Sequence, residues 1–214
     1  MPKLGEPPAP SELARVEPDV KVVEAGTELW RIYFRGGRHP TLWSEFRAFG
    51  PTDARFDHHL STPDGEAGLQ ERAILYASTH VVTCVAEVFQ RSRIINRLRG
   101  NPWIVGFALK SSLVLLDLTG RWPTRTGRAS AAINVGSRAR ARRWSQAIYE
   151  AYPNVQGLYY ASSMNALSPC LALYERARAA GAMPERPSFH RSLSDPTWET
   201  VLKNAAADLS YRLQ

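Results

Sequence analysis

The chain has 214 residues, of which 44% are hydrophobic, and its formal net charge is +7. This length and apolar content suffice for one well-buried domain and are marginal for two. No apolar run approaches the roughly 18 residues that a membrane-spanning helix needs, and no amino-terminal signal sequence is visible, so we expect a cytoplasmic protein outside the membrane. The excess of 27 Lys and Arg over 20 Asp and Glu predicts attraction to phosphate groups or to an acidic protein surface.

The first 27 residues offer little apolar surface to bury. The opening stretch MPKLGEPPAPSELARVEP is rich in proline and scattered charges, a composition typical of segments that do not fold by themselves. We therefore expect a flexible arm over residues 1–27 and a single domain over residues 28–214.

The first predicted strand, Glu28–Arg35, carries an arginine in its middle. Its sequence ELWRIYFR alternates apolar and polar residues as a half-buried strand does. An arginine on an edge strand usually extends its charged end into solvent, so the pattern alone favours an exposed Arg31.

A long irregular segment over residues 36–71 is rich in Gly, Pro, Arg, His and aromatic residues. A loop of this length inside a domain is usually functional or disordered. Arg55 next to Phe56 favours function, because an arginine beside an aromatic ring can hold a phosphate and stack a second ring. His58 and His59 point in opposite directions on an extended segment, and no metal-ligand spacing accompanies them, so we expect no metal site.

A strand that turns directly into a helix follows at Ile74–Arg93, ILYASTHVVTCVAEVFQRSR. Ser78 or Thr79 is a suitable N-cap, and the apolar residues of the helix recur at the spacing of a face packed on a core. Glu87 lies on the narrower polar side of this helix. A carboxylate there is either solvated or directed into a cleft, and strand-to-helix junctions are common places for clefts in α/β sheets.

The remaining pattern predicts two core strands, a long helix, a short strand and a closing amphipathic helix. These segments are Trp103–Leu109, Leu113–Leu118, Ser137–Tyr152, Gly157–Asn165 and Pro196–Leu213. The long helix carries the run SRARARRW, which is more typical of a solvated helix face, and no helix-turn-helix, zinc-finger or RRM pattern accompanies it. We therefore expect no direct binding to nucleic acid. Ser162 and Ser163 end the short strand, where they can point into a cleft, but no GxSxG elbow surrounds them as in a hydrolase.

The order of these features resembles the RES-domain family, which is named for its Arg, Glu and Ser. The family pattern has an arginine in the first strand, an Arg–aromatic pair in a loop, a tyrosine before a glutamate-bearing helix and a late serine. The matching positions here are Arg31, Arg55 with Phe56, Tyr76, Glu87 and Ser162. The resemblance covers roughly residues 28–180. At Met164 the family often has an arginine, whose contact is either absent here or supplied by another arginine such as Arg47 or Arg176.

The resemblance implies a single compact α/β (α+β) domain with a central mixed sheet flanked by helices, similar to the ADP-ribosyltransferase toxins. It also implies the toxin component of a bacterial type II toxin–antitoxin pair, with NAD+ as substrate, no prosthetic group and an Xre-type antitoxin as protein partner. A homo-oligomer is compatible with it. Whether NADP+ is also used stays open.

The residue types match the chemistry that the resemblance implies. Cleavage of the nicotinamide–ribose bond creates a positively charged, oxocarbenium-like centre, which a nearby carboxylate stabilises more in the transition state than in the ground state. The predicted catalytic residues are Glu87, Arg31 and Ser162. For binding, Arg31 and Arg55 are predicted to hold the pyrophosphate, Tyr33, Phe56 or Tyr76 to stack on nicotinamide, and Ser162 to hydrogen-bond the ribose or the amide.

Two alternatives to NAD+ cleavage by water or phosphate remain open at this stage. In the first, the enzyme is an ADP-ribosyltransferase that transfers ADP-ribose to a protein, which differs only in the nucleophile that reaches the anomeric carbon. In the second, the fold is a catalytically silent binding partner of a DNA-binding regulator. Two departures from the family pattern favour the silent partner. The loop around Arg55 lacks the paired glycines and the asparagine that are usual in the family, and position 164 is a methionine.

Overall fold

A mixed nine-stranded β-sheet runs through the centre of the protein in this computed structural model, which describes residues 4–37, 39–165 and 167–214. The strands are β1 (Val20–Val23), β2 (Glu28–Phe34), β3 (Arg47–Gly50), β4 (Gly68–Ser78), β5 (Ile94–Ile95), β6 (Pro102–Ala108), β7 (Leu113–Asp117), β8 (Gly157–Ala161), β9 (Pro169–Tyr174), β10 (Phe189–Ser192) and β11 (Arg212–Leu213). The helices are α1 (Pro10–Leu13), α2 (Val81–Phe89), α3 (Trp122–Arg125), α4 (Ala132–Val135), α5 (Arg138–Ala151), α6 (Glu175–Ala179) and α7 (Glu199–Leu209).

The strand order in the large sheet is β1-β7-β8-β9-β4-β2-β6-β10, and β3 pairs with β4. The pair β7 and β8 is parallel, with Leu116 opposite Leu158, whereas the other pairs of this sheet are antiparallel. β5 and β11 form a separate two-stranded parallel sheet. With helices packed against the sheet, this arrangement confirms the predicted single compact α/β domain with a central mixed sheet.

Two groups of helices cover one face of the sheet: one consists of α1, α3, α4 and α5, and the other of α2 and α7. Successive side chains of a strand point to opposite faces, so Ile74 and Leu75 of β4 belong to different cores. The core that contains Ile74 includes Trp144 of α5, and a second core on this face packs α2 and α7 against Ile32 of β2. Leu75 belongs to the core of the opposite face, together with Ala177 of α6.

Along one of its two edges, β4 pairs first with β3 and then with β2. Its first part pairs with β3, from Gly68 opposite Gly50 to Ile74 opposite Arg47. Its last residue, Ser78, pairs with Trp30 of β2. The residues of β4 between these two pairings therefore lie where β2 and β3 separate, which opens the sheet toward the space between the two helical groups.

The amino-terminal segment belongs to the domain over residues 4–27, so the prediction of a flexible arm there is wrong. Leu4 and Leu13 are buried against the helix α5. β1 pairs with β7 along its whole length, from Val20 opposite Leu116 onward. The proline-rich composition did not indicate these contacts, because composition does not show which leucines are buried. A few buried leucines are enough to hold a short segment on an existing core.

The helix that carries Glu87 has its N-cap one residue after Thr79 and two residues after Ser78, the two predicted caps. Its N-cap is His80, whose side chain makes no capping hydrogen bond. Ser78 instead donates its hydroxyl hydrogen to the His80 carbonyl oxygen at 2.7 Å, which orients the turn from β4 into α2. None of the helices in the described part of the chain is long and apolar enough to cross a membrane.

Candidate active site

A cavity of about 290 Å³ lies between the two helical groups, beside the separation of β2 and β3. Its wall includes Tyr76 and Ile74 of β4, the polar side of α2 and the start of α5. The charged residues of this wall are Arg31, Arg47, Arg55, Arg138 and Glu87. Four arginines against one carboxylate give the cavity a strongly positive field, which favours an anionic ligand.

Glu87 is held at the cavity wall by a serine from another part of the chain. The Ser162 hydroxyl donates to Glu87 Oε1 at 2.6 Å, and the same Ser162 oxygen accepts the backbone N–H groups of Met164 and Asn165, each at 3.1 Å. The Asn165 side chain also donates to Thr83 Oγ1 on α2 at 2.9 Å. The turn after β8 is therefore tied to α2 at two places, and the hydroxyl hydrogen of Ser162 is committed to the carboxylate.

Arg31 is half-buried at the wall of the cavity, where β2 has β6 on one side and diverges from β4 on the other. The expectation from the strand pattern alone, an edge-strand arginine that extends into solvent, is therefore wrong. Arg31 Nη1 donates to the Glu45 carbonyl oxygen at 3.1 Å. Burial lowers the pKa of Arg31 to about 10, which still leaves it charged at neutral pH.

Arg55 and Arg47 reach the cavity from the long segment between β2 and β4. Arg55 Nη1 donates to the Gly136 carbonyl oxygen at 2.6 Å, and burial together with the nearby Arg138 lowers the pKa of Arg55.

Arg47 pairs with the buried carboxylate of Asp57 at 2.9 Å. Burial alone would raise the pKa of Asp57, but His59, Arg47 and Thr52 hold it well below its usual range.

Tyr76 is the predicted aromatic residue that lines the cavity. Its hydroxyl group is buried and has no hydrogen-bond partner in the part of the chain that the structure describes. Burial raises the pKa of Tyr76 well above its usual value, so the hydroxyl keeps its proton. The enclosed hydroxyl is therefore not presented to the cavity, and Tyr76 contributes the accessible part of its ring to the same lining as Glu87 and Arg31.

A family model of the RES domain matches residues 28–199. The chain belongs to the RES-domain family. A chain in the crystal structure of the M. tuberculosis MbcT–MbcA toxin–antitoxin complex has a similar fold, with a TM-score of 0.55 and 14% sequence identity over 89% of this chain and 95% of that chain. Among curated proteins, no sequence matches this one.

The structure of this RES domain brings five of the seven predicted site residues together. Arg31, Arg55, Tyr76 and Glu87 line the cavity. Ser162 is fully buried behind Glu87 and contacts the carboxylate, while the neighbouring Ser163 faces the cavity.

The other two predicted residues, Tyr33 and Phe56, are core residues outside this cavity. Tyr33 packs on the opposite face of the sheet, where its hydroxyl lies 2.6 Å from Nε2 of His190. Phe56 is fully buried, with its ring 4.7 Å from that of Tyr160. Since both rings are enclosed by the core, the structure does not support stacking of either ring on a ligand in this cavity.

Five further polar residues line the cavity of the RES domain without having been singled out as site residues from the sequence. They are Thr41, Gln90, Asn134, Arg138 and Tyr160. Arg138 belongs to the run SRARARRW, for which the sequence alone predicts a solvated helix face. Arg47, weighed as a substitute for the arginine missing at Met164, also lines the cavity, whereas Arg176 donates to backbone carbonyl oxygens of residues 149 and 152 elsewhere.

Proposed function

We propose that this RES-domain protein is the toxin of a bacterial toxin–antitoxin pair and that it cleaves the bond between nicotinamide and ribose in NAD+. The observation that carries the proposal is the Glu87 carboxylate, which Ser162 fixes at the wall of an arginine-lined cavity. Membership of the RES family and the fold likeness to a chain of a toxin–antitoxin complex support the biological context.

The proposed reaction uses Glu87 as an electrostatic stabiliser. The bond between the ribose carbon and the nicotinamide nitrogen breaks, and its electron pair leaves with nicotinamide, which becomes neutral. The ribose carbon gains positive charge as this happens, so a fixed carboxylate nearby lowers the energy of the transition state. Water or inorganic phosphate then attacks this carbon, giving ADP-ribose or its 1″-phosphate.

The arginines would bind the pyrophosphate of the same substrate. Arg31 and Arg55 are our candidates for this contact, because both are partly withdrawn from water and therefore interact strongly with an anion. Arg47 would take the place of the arginine that Met164 replaces. Tyr76 would contact the nicotinamide ring or its amide. No prosthetic group takes part in this scheme, in which NAD+ is the substrate.

The partner in this proposal is an Xre-type antitoxin, and the site of action is the cytoplasm. The net charge of +7 favours an acidic surface on such a partner. Growth of a bacterial host should stop when the protein is expressed alone and resume when the neighbouring small gene is co-expressed. Growth arrest that persists despite this gene would contradict the pairing.

An NMR or mass-spectrometric time course of NAD+ with the purified protein tests the chemistry directly. We expect nicotinamide release, and we expect Glu87→Gln to abolish it, because the substitution keeps the shape and removes the charge. Glu185→Gln changes an exposed glutamate and is the matched control. Runs with and without phosphate identify the acceptor from the second product.

Three outcomes would reject or redirect the proposal. Full activity in a folded Glu87→Gln variant would exclude the assigned mechanism. If NAD+ survives but labelled NAD+ marks a protein band in a cell lysate, the enzyme is an ADP-ribosyltransferase. If neither cleavage nor labelling occurs, the protein is a silent binding partner.

A further inference from the structure

Gln90 stands between the carboxylate of Glu87 and the guanidinium of Arg138. It follows the last residue of α2, and its Nε2 group donates to Glu87 Oε2 at 3.2 Å and to the Glu87 carbonyl oxygen at 2.6 Å. Its Oε1 atom accepts a hydrogen bond from Arg138 Nη2. Both flanking side chains line the cavity, and so does Gln90 itself.

The donors and acceptors of the three groups allow one orientation of the Gln90 amide. A guanidinium only donates and a carboxylate only accepts, so the amide oxygen must face Arg138 and the amide nitrogen must face Glu87. The reversed amide would oppose two donors on one side and two acceptors on the other. The neutral amide of a glutamine can therefore bridge these two charges with a hydrogen bond on each side.

We propose that Gln90 is a positioning residue that keeps Arg138 and Glu87 from pairing with each other, an inference that rests on the proposed function of the cavity. A guanidinium in direct contact with a carboxylate forms a strong ion pair with two hydrogen bonds. Such a pair would occupy donors of Arg138 and would offset the negative charge of Glu87. Gln90 occupies one hydrogen of Arg138 and one lone pair of Glu87. The remaining donors of Arg138 stay available for a phosphate, and Glu87 stays free of an ion pair with Arg138 that would compete with the ribose cation.

The surroundings of the two charged groups agree with this role. In the described part of the chain, Arg138 forms no salt bridge, and its one side-chain hydrogen bond goes to Gln90. The other oxygen of the Glu87 carboxylate is held by Ser162 at 2.6 Å, so Gln90 and Ser162 grip the carboxylate from both oxygens without neutralising it. Arg55 is tied to Gly136, two residues before Arg138, which keeps a second guanidinium at the same wall.

The test compares Gln90→Met, which keeps the length of the side chain but removes both hydrogen bonds, with the double variant Gln90→Met/Arg138→Met. We expect Gln90→Met to lower kcat for NAD+ by about tenfold or more, as for the loss of hydrogen bonds to charged groups. The double variant should recover part of this kcat, because no guanidinium is left to pair with Glu87. Arg142→Met, one turn further along α5 and outside the cavity lining, is the matched control for the loss of one arginine.

A role of Gln90 in folding alone would not produce this recovery, so a double variant that is no faster than Gln90→Met would overturn the proposal. So would a wild-type kcat in Gln90→Met. Calorimetric titration with inorganic pyrophosphate needs no cleavage, and Gln90→Met should weaken this binding as much as Arg138→Met does. If the wild-type protein leaves NAD+ intact, the proposed function fails, and equal or unequal pyrophosphate affinities of these two variants still decide the role of Gln90.

Discussion

The Ser162 hydroxyl donates a 2.6 Å hydrogen bond to Glu87 Oε1, although the two residues are 75 positions apart in the chain. Ser162 follows β8 and Glu87 lies on α2, so the contact joins an element of the central sheet to a helix that packs on it. Because this hydroxyl faces the carboxylate, Ser162 would act through Glu87 in the proposed reaction, and a direct contact with ribose or amide remains a prediction.

Removal of this hydroxyl should impair the chemical step more than substrate binding. Ser162→Ala leaves the Glu87 carboxylate with Gln90 as its one remaining side-chain donor and therefore less firmly oriented, so we expect kcat for NAD+ to fall by roughly tenfold to a hundredfold. KM should change much less. Ser61→Ala, which changes an exposed serine outside the cavity lining, should keep the activity of the wild-type protein. A rise in KM at constant kcat would instead favour direct binding of substrate by Ser162.

Arg31 should bind an anion with a characteristic dependence on pH. Its folded-state pKa of about 10 means that the free protein loses this charge as the pH rises through 10, and the affinity for inorganic pyrophosphate should then fall. Arg31→Met should bind pyrophosphate more weakly near neutral pH and lack this component of the decline. Calorimetric titration between pH 8 and pH 11 measures both effects, with the exposed Arg121→Met as control. Parallel curves for the two proteins would contradict a role of Arg31 in anion binding.

The amino-terminal segment should contribute measurably to stability. Leu13 is fully buried against the core that contains Trp144, so Leu13→Ala should lower the free energy of unfolding by about 2–5 kcal/mol. The control, Leu98→Ala, changes a leucine that is 74% exposed and should alter stability by less than about 0.5 kcal/mol. Urea denaturation of both variants gives the comparison. Equal stabilities would restore the picture of a flexible arm.

Glu175 should make stability depend on pH in acid. Burial alone would raise the pKa of Glu175, but the nearby His58 imidazole, the Ala73 N–H and the Tyr149 hydroxyl lower it to about 2. The unfolded chain then binds a proton near pH 4.5 while the folded chain does not, so this stabilisation is complete above pH 4.5 and is lost as the pH falls toward 2. In Glu175→Gln, the free energy of unfolding should decline less steeply over this interval. Identical slopes in urea titrations would refute the assignment.

The sequence by itself determined the local pattern around the site. Alternating apolar residues specify β2, and an apolar run specifies the end of β4. The three-and-four spacing specifies the buried face of α2 and leaves Glu87 on its polar side. These are short-range properties, which depend on residue type and on the period of each element. The ordered positions of Arg31, Tyr76 and Glu87 were therefore readable from the chain, and so was the family resemblance that they carry.

Only the tertiary structure decided which elements meet at the cavity. The period of α5 separates a polar face from an apolar one, yet it does not indicate that the first arginine of that face, Arg138, reaches Gln90. Tyr33 and Phe56 have the residue types of a stacking site, and the core encloses both. The same limit hid the burial of Leu13. The environments of Arg138, Tyr33, Phe56 and Leu13 all depend on packing between residues that are far apart in the sequence. A local pattern of residue types does not specify these long-range contacts.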